Sequence, residues 1–279
     1  MSRRSAFLAS ALVVPIVLAM SFADRLVYFP VGPHDATPTA LGLAYEDVHL
    51  QASDGVAIHA WFVPAEESAA TPRAVAQRPA VLFLHGNAGN ISHRLDKLAV
   101  LHSLGASVLL LDYRGYGASE GTPSEEGLYR DADAAYDWLI ARGVAPAEIV
   151  PYGESLGGAV ATDLAARRPV GGLVLESAPT SIIEVARHHY PYVPVALLLS
   201  DRYDAASRVA RVTAPILILH SPDDEIVPFA MAEELLAAAR GPKRLVRLAG
   251  GHNDGFLVAA TAYREALRTF LARRVHGAP

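Results

Sequence analysis

From Pro79 to Ser221 the chain returns repeatedly to short, unbroken aliphatic runs: AVLFLHG, ASVLLLDY, EIVPYG, GGLVLES and APILILHS. Each run is bounded by Gly, Pro, Asp or His. A strand with one wet face alternates apolar with polar residues. A run that is apolar throughout suits a strand covered on both faces, as in a parallel sheet. Parallel neighbours cannot be joined by a tight turn, so crossover segments must separate them. Helical patterns occupy those segments. The clearest covers 122–142, with Thr122 as cap, Pro123 in the first turn and Glu125 completing a capping box. Leu128, Ala132, Ala135, Tyr136 and Leu139 share its buried face, and Gly143 ends it. Further helices are expected over 159–168, 229–240 and 256–274. Upstream, YEDVHLQA and VAIHAWFVP flank Ser53-Asp54-Gly55 and read as a hairpin. The pattern predicts an α/β fold, a mostly parallel sheet with helices on both faces. Between LVLESAP and APILILHS the rhythm breaks, and residues about 178–213 are expected to form a small cap.

The chain has 24 basic and 29 acidic residues, a net charge of −5, and no Lys/Arg-rich run beyond isolated pairs. A nucleic-acid partner would need a basic footprint, so none is expected. There is no cysteine, which excludes disulfides, thiolate zinc sites and a cysteine nucleophile. The N-terminus has its own character. Arg3 and Arg4 precede Ser5 to Ala23, a stretch without charge. A signal core has about 7–15 apolar residues, whereas a spanning helix needs roughly 17–25. Residues 1–24 are therefore expected to be a membrane anchor with its arginines inside. A signal cleaved after Ser21-Phe22-Ala23, followed by export, is the alternative, and a buried core helix the bland one.

One glycine-rich turn carries chemistry. In VPYGESLGGAVA, Ser155 stands between Gly153 and Gly157, after an expected strand and before an expected helix. That is the setting of a G-x-S-x-G elbow, where side chains on the flanking positions would collide with the neighbouring strand or helix. A serine hydroxyl needs a base, and the base an orienting acid. Asp223 and Asp224 follow the strand ILILH, and His252 follows the last strand, so the chain supplies the order Ser, Asp, His.

At this point the chain resembles the α/β-hydrolase superfamily, and within it small membrane-anchored serine hydrolases of the Bem46-like and α/β-hydrolase-domain depalmitoylase type. The matching stretches are LVYFP, FLHGNAGN, LLDYRGYGASEGTPSEEG, YGESLGGAVA, LESAPTSI, HSPDDEIVP and GGHND, in order over roughly residues 26 to 272. The resemblance implies the α/β-hydrolase fold over 25–279. It implies Ser155 as nucleophile, Asp224 as acid and His252 as general base. It implies an oxyanion hole made by the backbone N–H groups of Leu156 and Asn87. The family pattern D-x-x-V-P selects Asp224, leaving Asp223 to end the strand or cap the turn.

Other residues read as structural. His85 and His220 are expected to bond nearby backbone. His188 and His189 are adjacent and point apart, so no metal site is expected, and no cofactor. The glycines of DYRGYGASEG make a poor dinucleotide fingerprint, and Asp112 and Arg114 are expected to hold that turn. Glu154, beside Ser155, is expected to point away from the site and to serve packing. The leading expectation is a serine hydrolase of carboxylic esters or thioesters, with a small-molecule or lipid ester as substrate. A serine aminopeptidase or amidase on the same triad, or a non-catalytic membrane-tethered binding module, are the alternatives.

Overall fold

A computed structural model describes residues 26–66 and 78–273. The expected anchor over 1–24 lies outside the described residues. Among the described residues no helix is long and apolar enough to cross a membrane.

The strands are β1 (Phe29–Pro30), β2 (Glu46–Gln51), β3 (Ala57–Val63), β4 (Ala80–Leu84), β5 (Ala88–Gly89), β6 (Ser107–Leu111), β7 (Ile149–Glu154), β8 (Leu173–Glu176), β9 (Ile216–His220) and β10 (Lys243–Arg247). Eight of them form one sheet in the order β10-β9-β8-β7-β4-β6-β3-β2. The β2–β3 and β3–β6 pairs are antiparallel and the remaining pairs of that sheet parallel. The helices are α1 (Leu95–Ser103), α2 (Glu125–Ala141), α3 (Leu156–Arg167), α4 (Ile182–His189), α5 (Val195–Leu198), α6 (Ala205–Val209), α7 (Phe229–Ala238), α8 (Gly255–Val258) and α9 (Ala260–Arg273).

Side chains alternate across each strand, so the aliphatic runs feed two cores at once. Leu82, Leu84, Leu109 and Leu111 face the core that includes Leu128 of α2 and Val160 of α3. Val81, Phe83, Val108 and Leu110 face the core that includes Leu98 of α1 and Leu267 of α9. This is why these strands carry no polar alternation. Pro151 sits inside β7, a central strand. It opposes Leu82 of β4, and pairing with β8 begins only at Tyr152. A residue without an N–H is thus confined to the part of β7 that does not need a second ladder.

Two boundaries differ from the sequence expectation. Ser124 rather than Thr122 caps α2, accepting from the Gly127 N–H, and the helix starts at Glu125. The C-terminal helix is interrupted after Val258 and resumes at Ala260. Between β8 and β9 lie α4, α5 and α6, above the carboxyl end of the sheet. Before β2 an arm runs back along that same end. Phe29 and Pro30 pair in parallel with Ala88 and Gly89, just after β4.

Candidate active site

β7 ends on Glu154, and Ser155 takes a positive φ of +52° with ψ −119°. A side chain there is strained, and the neighbourhood holds it in place. Ser155 N–H donates to the Glu176 carbonyl at 2.8 Å, and Gly158 N–H donates to the Ser155 carbonyl at 2.8 Å. A Cβ on Gly153 would strike the Gly157 backbone, one on Gly157 the Leu84 and His85 carbonyls, and one on Gly158 the Ala178 side chain. The turn therefore needs three small residues for three separate collisions. Leu156 opens α3 directly after it, so its N–H belongs to the helix's first, unpaired donors. The positive end of the helix dipole points at the same place.

The loops after β9 and β10 bring the partners. His252 Nε2 lies 3.1 Å from Ser155 Oγ, and His252 Nδ1 lies 2.8 Å from Asp224 Oδ2. Asp224 Oδ1 accepts from Ile226 N–H at 2.9 Å and from Val227 N–H at 2.7 Å. Burial works against the Asp224 charge. Hydrogen bonds from His220 and His252, with His252's field and the Val227 N–H, outweigh it and hold the carboxyl well below the usual carboxylate range. An ionised carboxylate only accepts, so Nδ1 of His252 carries the hydrogen and Nε2 offers its lone pair to the serine. The His252 loop is itself tied down. Its N–H donates to Glu225 Oε2 at 3.0 Å, and Ser221 Oγ donates to the Gly250 carbonyl. Asp223 stands exposed nearby, its N–H donating to Ser221 Oγ at 3.1 Å.

Asn87 lies in the turn after β4, next to Gly86. A Cβ on Gly86 would come 3.3 Å from Ser155 Cβ, so this turn lies directly against the elbow. The Asn87 carbonyl accepts from Phe29 N–H at 2.9 Å and from Tyr116 Oη at 2.8 Å. Its side-chain amide donates to the Val27 carbonyl at 3.1 Å. The structure thus brings Ser155, Leu156, Asp224, His252 and Asn87 to one end of the sheet.

His220, His85 and Glu154 take structural places, as expected, and each does so with further partners. His220 Nε2 donates to the Val227 carbonyl at 2.9 Å and lies 3.3 Å from Asp224 Oδ2, so it braces the acid as well as the backbone. His85 is buried with Nδ1 2.7 Å from the Gly86 carbonyl; burial, with help from Arg94, lowers its pKa to about 4. Glu154 enters a buried ionic group. Arg94 Nη2 lies 3.1 Å from it, and Lys97 Nζ lies 3.1 Å from Glu154 and 3.0 Å from Glu176. Tyr152 donates to Glu176 and meets Tyr263 at 2.5 Å. No motif announces this set, because its members come from β7, β8, α1, α9 and the turn before α1. A spacing signal exists only within Arg94-x-x-Lys97.

The His34, His59 and Asp112 ligand atoms lie within 4.8 Å of one another and are the one group among the described residues that could hold a metal. His34 Nε2 already sits 2.5 Å from Asp112 Oδ2. Two ligands of one zinc ion, each about 2.0–2.2 Å from it, stand farther apart than that. The group reads instead as a clasp: Asp112 also accepts from Ile91 N–H at 3.0 Å and binds the arm through His34. Arg114 pairs with Asp131 at 2.8 Å and Asp54 at 2.7 Å, holding the other side of that turn. His188 and His189 are exposed, and His189 Nε2 donates to the Ile226 carbonyl at 2.8 Å.

The chain is similar to known proteins to different depths. The family model described as serine aminopeptidase, S33, matches residues 76–199. Protein bem46 of Schizosaccharomyces pombe is 33% identical over 79% of this chain and 77% of its own. Lysophosphatidylserine lipase ABHD12 of Danio rerio is 39% identical over 64% of this chain and 51% of its own. Among solved structures, the Pyrococcus furiosus esterase Pf2001 superposes with a TM-score of 0.71, covering 88% of this chain and 97% of that one at 20% identity. The last comparison speaks for the fold.

Proposed function

This chain belongs to the α/β-hydrolase superfamily and its Hydrolase_4 family, and from that premise we propose that it is a serine hydrolase cleaving carboxylic esters or thioesters with acyl or lipid groups. The reading rests on one observation above the rest. The hydrogen-bonded line from Asp224 through His252 to Ser155 stands at the carboxyl end of the sheet, with Ser155 at a helix N-terminus.

Ser155 Oγ attacks the carbonyl carbon while His252 Nε2 takes its proton. The carbonyl oxygen becomes an oxyanion held by the N–H groups of Leu156 and Asn87. The tetrahedral species collapses, the C–O or C–S bond breaks, and the leaving alcohol or thiol receives the proton from His252. Water then gives a proton to His252 as it attacks the acyl-serine; the acyl–Oγ bond breaks, Ser155 Oγ takes that proton back from His252, and the carboxylic acid leaves. Asp224 keeps its charge throughout and stabilises the imidazolium. No cofactor enters.

Acyl or lipid substrates are favoured by the similarity to the zebrafish lysophosphatidylserine lipase and by the uncharged stretch from Ser5 to Ala23, which we read as a membrane anchor. The family model's own description favours a second reading, a serine aminopeptidase. Such an enzyme needs an unpaired carboxylate for the substrate's ammonium. Glu154, beside the nucleophile in sequence, does not supply one, being paired with Arg94 and Lys97.

A fluorophosphonate probe and a series of p-nitrophenyl esters of rising chain length test the proposal together. The expected result is labelling that vanishes in Ser155→Ala, with a rate optimum at longer chains. Equal labelling of Ser155→Ala would overturn the catalytic assignment. Turnover of aminoacyl p-nitroanilides without turnover of esters would favour the aminopeptidase.

A further inference from the structure

We propose that Arg94 is a positioning residue of the hydrolase: its guanidinium ties the turn after β4 to the nucleophile elbow, and so sets the spacing of the two backbone N–H groups, of Asn87 and Leu156, that hold the oxyanion. This deepens the hydrolase reading and rests on it.

The two donors belong to separate segments. Asn87 lies between β4 and β5, and Leu156 opens α3. An oxyanion hole works when its donors stand about 2.7–3.1 Å from the developing charge, so a hole built from two segments depends on what joins them. Arg94 touches both. Its Nη2 donates to the carbonyl of Ala88, the residue after Asn87, at 3.1 Å. The same Nη2 lies 3.1 Å from Glu154 Oε1, and Nε donates to Glu154 Oε2 at 3.2 Å. Glu154 directly precedes Ser155. The junction is near the reacting atoms. A Cβ on Gly86 would stand 3.6 Å from Arg94 Nη2, 3.4 Å from Glu154 Oε1 and 3.3 Å from Ser155 Cβ. The guanidinium thus sits where the turn, Glu154 and the nucleophile converge.

Charge balance alone does not account for this arrangement. Glu154 and Glu176 are buried carboxylates, and Lys97 Nζ lies 3.1 and 3.0 Å from them. A second cation completes the balance, and a lysine would supply it as well as an arginine. Balance does not call for the bond to the Ala88 carbonyl. A guanidinium makes that bond because its donors lie in one rigid plane: with Nε and one Nη2 hydrogen on a carboxylate, the other Nη2 hydrogen has a fixed direction. An ammonium on a flexible stem carries the charge without the aim. The Arg94 and Glu154 side chains are 15% and 11% exposed, so little water competes for the fork. The segment carrying Arg94 is itself fixed, since Asn90 caps it by accepting from Ser92 N–H at 2.9 Å. The arm holds the same turn from its other side, with Phe29 N–H on the Asn87 carbonyl and Val31 N–H on the Gly89 carbonyl.

The test compares Arg94→Lys and Arg94→Gln with the unsubstituted full chain, on p-nitrophenyl butyrate and on a trifluoromethyl ketone of the same acyl chain. Ser155 Oγ bonds to the ketone's carbonyl carbon, the π pair moves to oxygen and the hydroxyl proton to His252, so the inhibition constant reads the hole. Turnover is taken per site titrated by a fluorophosphonate, which leaves unfolded protein out of the count. Arg94→Lys keeps the charge and should melt close to the unsubstituted chain. Its kcat is expected to fall about 10–100-fold with KM little changed, and the inhibition constant to rise by a similar factor. Arg94→Gln should lose at least as much. Full kcat per site in Arg94→Lys would overturn the positioning role and leave Arg94 a counter-ion of Glu154. A fall in kcat with an unchanged inhibition constant would overturn it too, by placing the fault away from the oxyanion. An unsubstituted chain that neither takes the fluorophosphonate nor hydrolyses the ester would sink the hydrolase reading and this one with it, whereas labelling and turnover untouched by either substitution sink this one alone.

Discussion

In the proposed mechanism, the hydrogen bond from His252 Nδ1 to Asp224 leaves Nε2 as the nitrogen that takes the serine's proton. Asp224→Asn keeps the shape and offers a donor where an acceptor is needed, so the ring is held in the wrong tautomer. Its kcat should fall by about 10⁴-fold with little change in folding, read by steady-state kinetics beside thermal melting. Glu154 is a different kind of residue. Its charge is balanced by Arg94 and Lys97 out of reach of the ester, and its place is under the elbow. Removing one partner leaves uncompensated charge in the interior, so Lys97→Met should cost about 3–5 kcal/mol of stability in chemical denaturation. The two residues also differ in how far the sequence reveals them. Ser155, Asp224 and His252 sit in short motifs whose spacing is dictated by strand ends, so a reader can align them. Lys97 and Glu176 meet across the sheet from unrelated segments, and nothing in their local sequence marks the meeting.

At the scale of elements, the arm and the turn after β4 act as one unit. Asn90 is buried, and its amide donates to the Val31 and Pro33 carbonyls at 3.0 and 3.2 Å. Asn90→Ala should loosen the arm and let the Asn87 turn drift from Ser155. A drift of that order is expected to lower kcat by about 10–100-fold with a smaller change in KM. Full kcat in that variant would detach the arm from the oxyanion turn. Helix α2 shows a subtler point. Thr122-Pro123-Ser124-Glu125 contains two candidate caps. Pro123 packs over the Gly115 turn, and Ser124, in extended backbone with φ −162°, then caps the helix. Sequence periodicity finds the helix, whereas tertiary packing chooses its first residue. Ser124→Ala should cost about 1 kcal/mol and leave turnover intact.

For the whole molecule, buried carboxylates set the response to acid. Burial opposes ionisation of Glu154, but Lys97 and Arg94 outweigh it, and its pKa is lowered from 4.5 to about 2. Asp224 and Asp112 are lowered as well, each against its own burial; His220 and His252 hold down the first, His34 and His59 the second. A group whose pKa is depressed by folding stabilises the fold above its unfolded value, and loses that contribution as pH falls toward the folded one. The melting temperature should therefore hold near neutrality and fall steeply below about pH 4.5. Glu154→Gln should start lower and fall less steeply over that range. The α/β architecture was legible because continuous aliphatic strands and intervening helices constrain topology strongly. The clasp of His34, His59 and Asp112 was not, since the arm and the sheet bring these three together only in the folded chain.

During turnover Ser155 should carry the acyl group. Acid quenching of the protein in the midst of hydrolysing p-nitrophenyl butyrate, followed by peptide mass spectrometry, tests it directly. A butyryl group on the peptide containing Ser155, absent from Ser155→Ala, is the predicted result. Turnover at full rate with that peptide unmodified, or with the Ser155→Ala variant equally active, would contradict it.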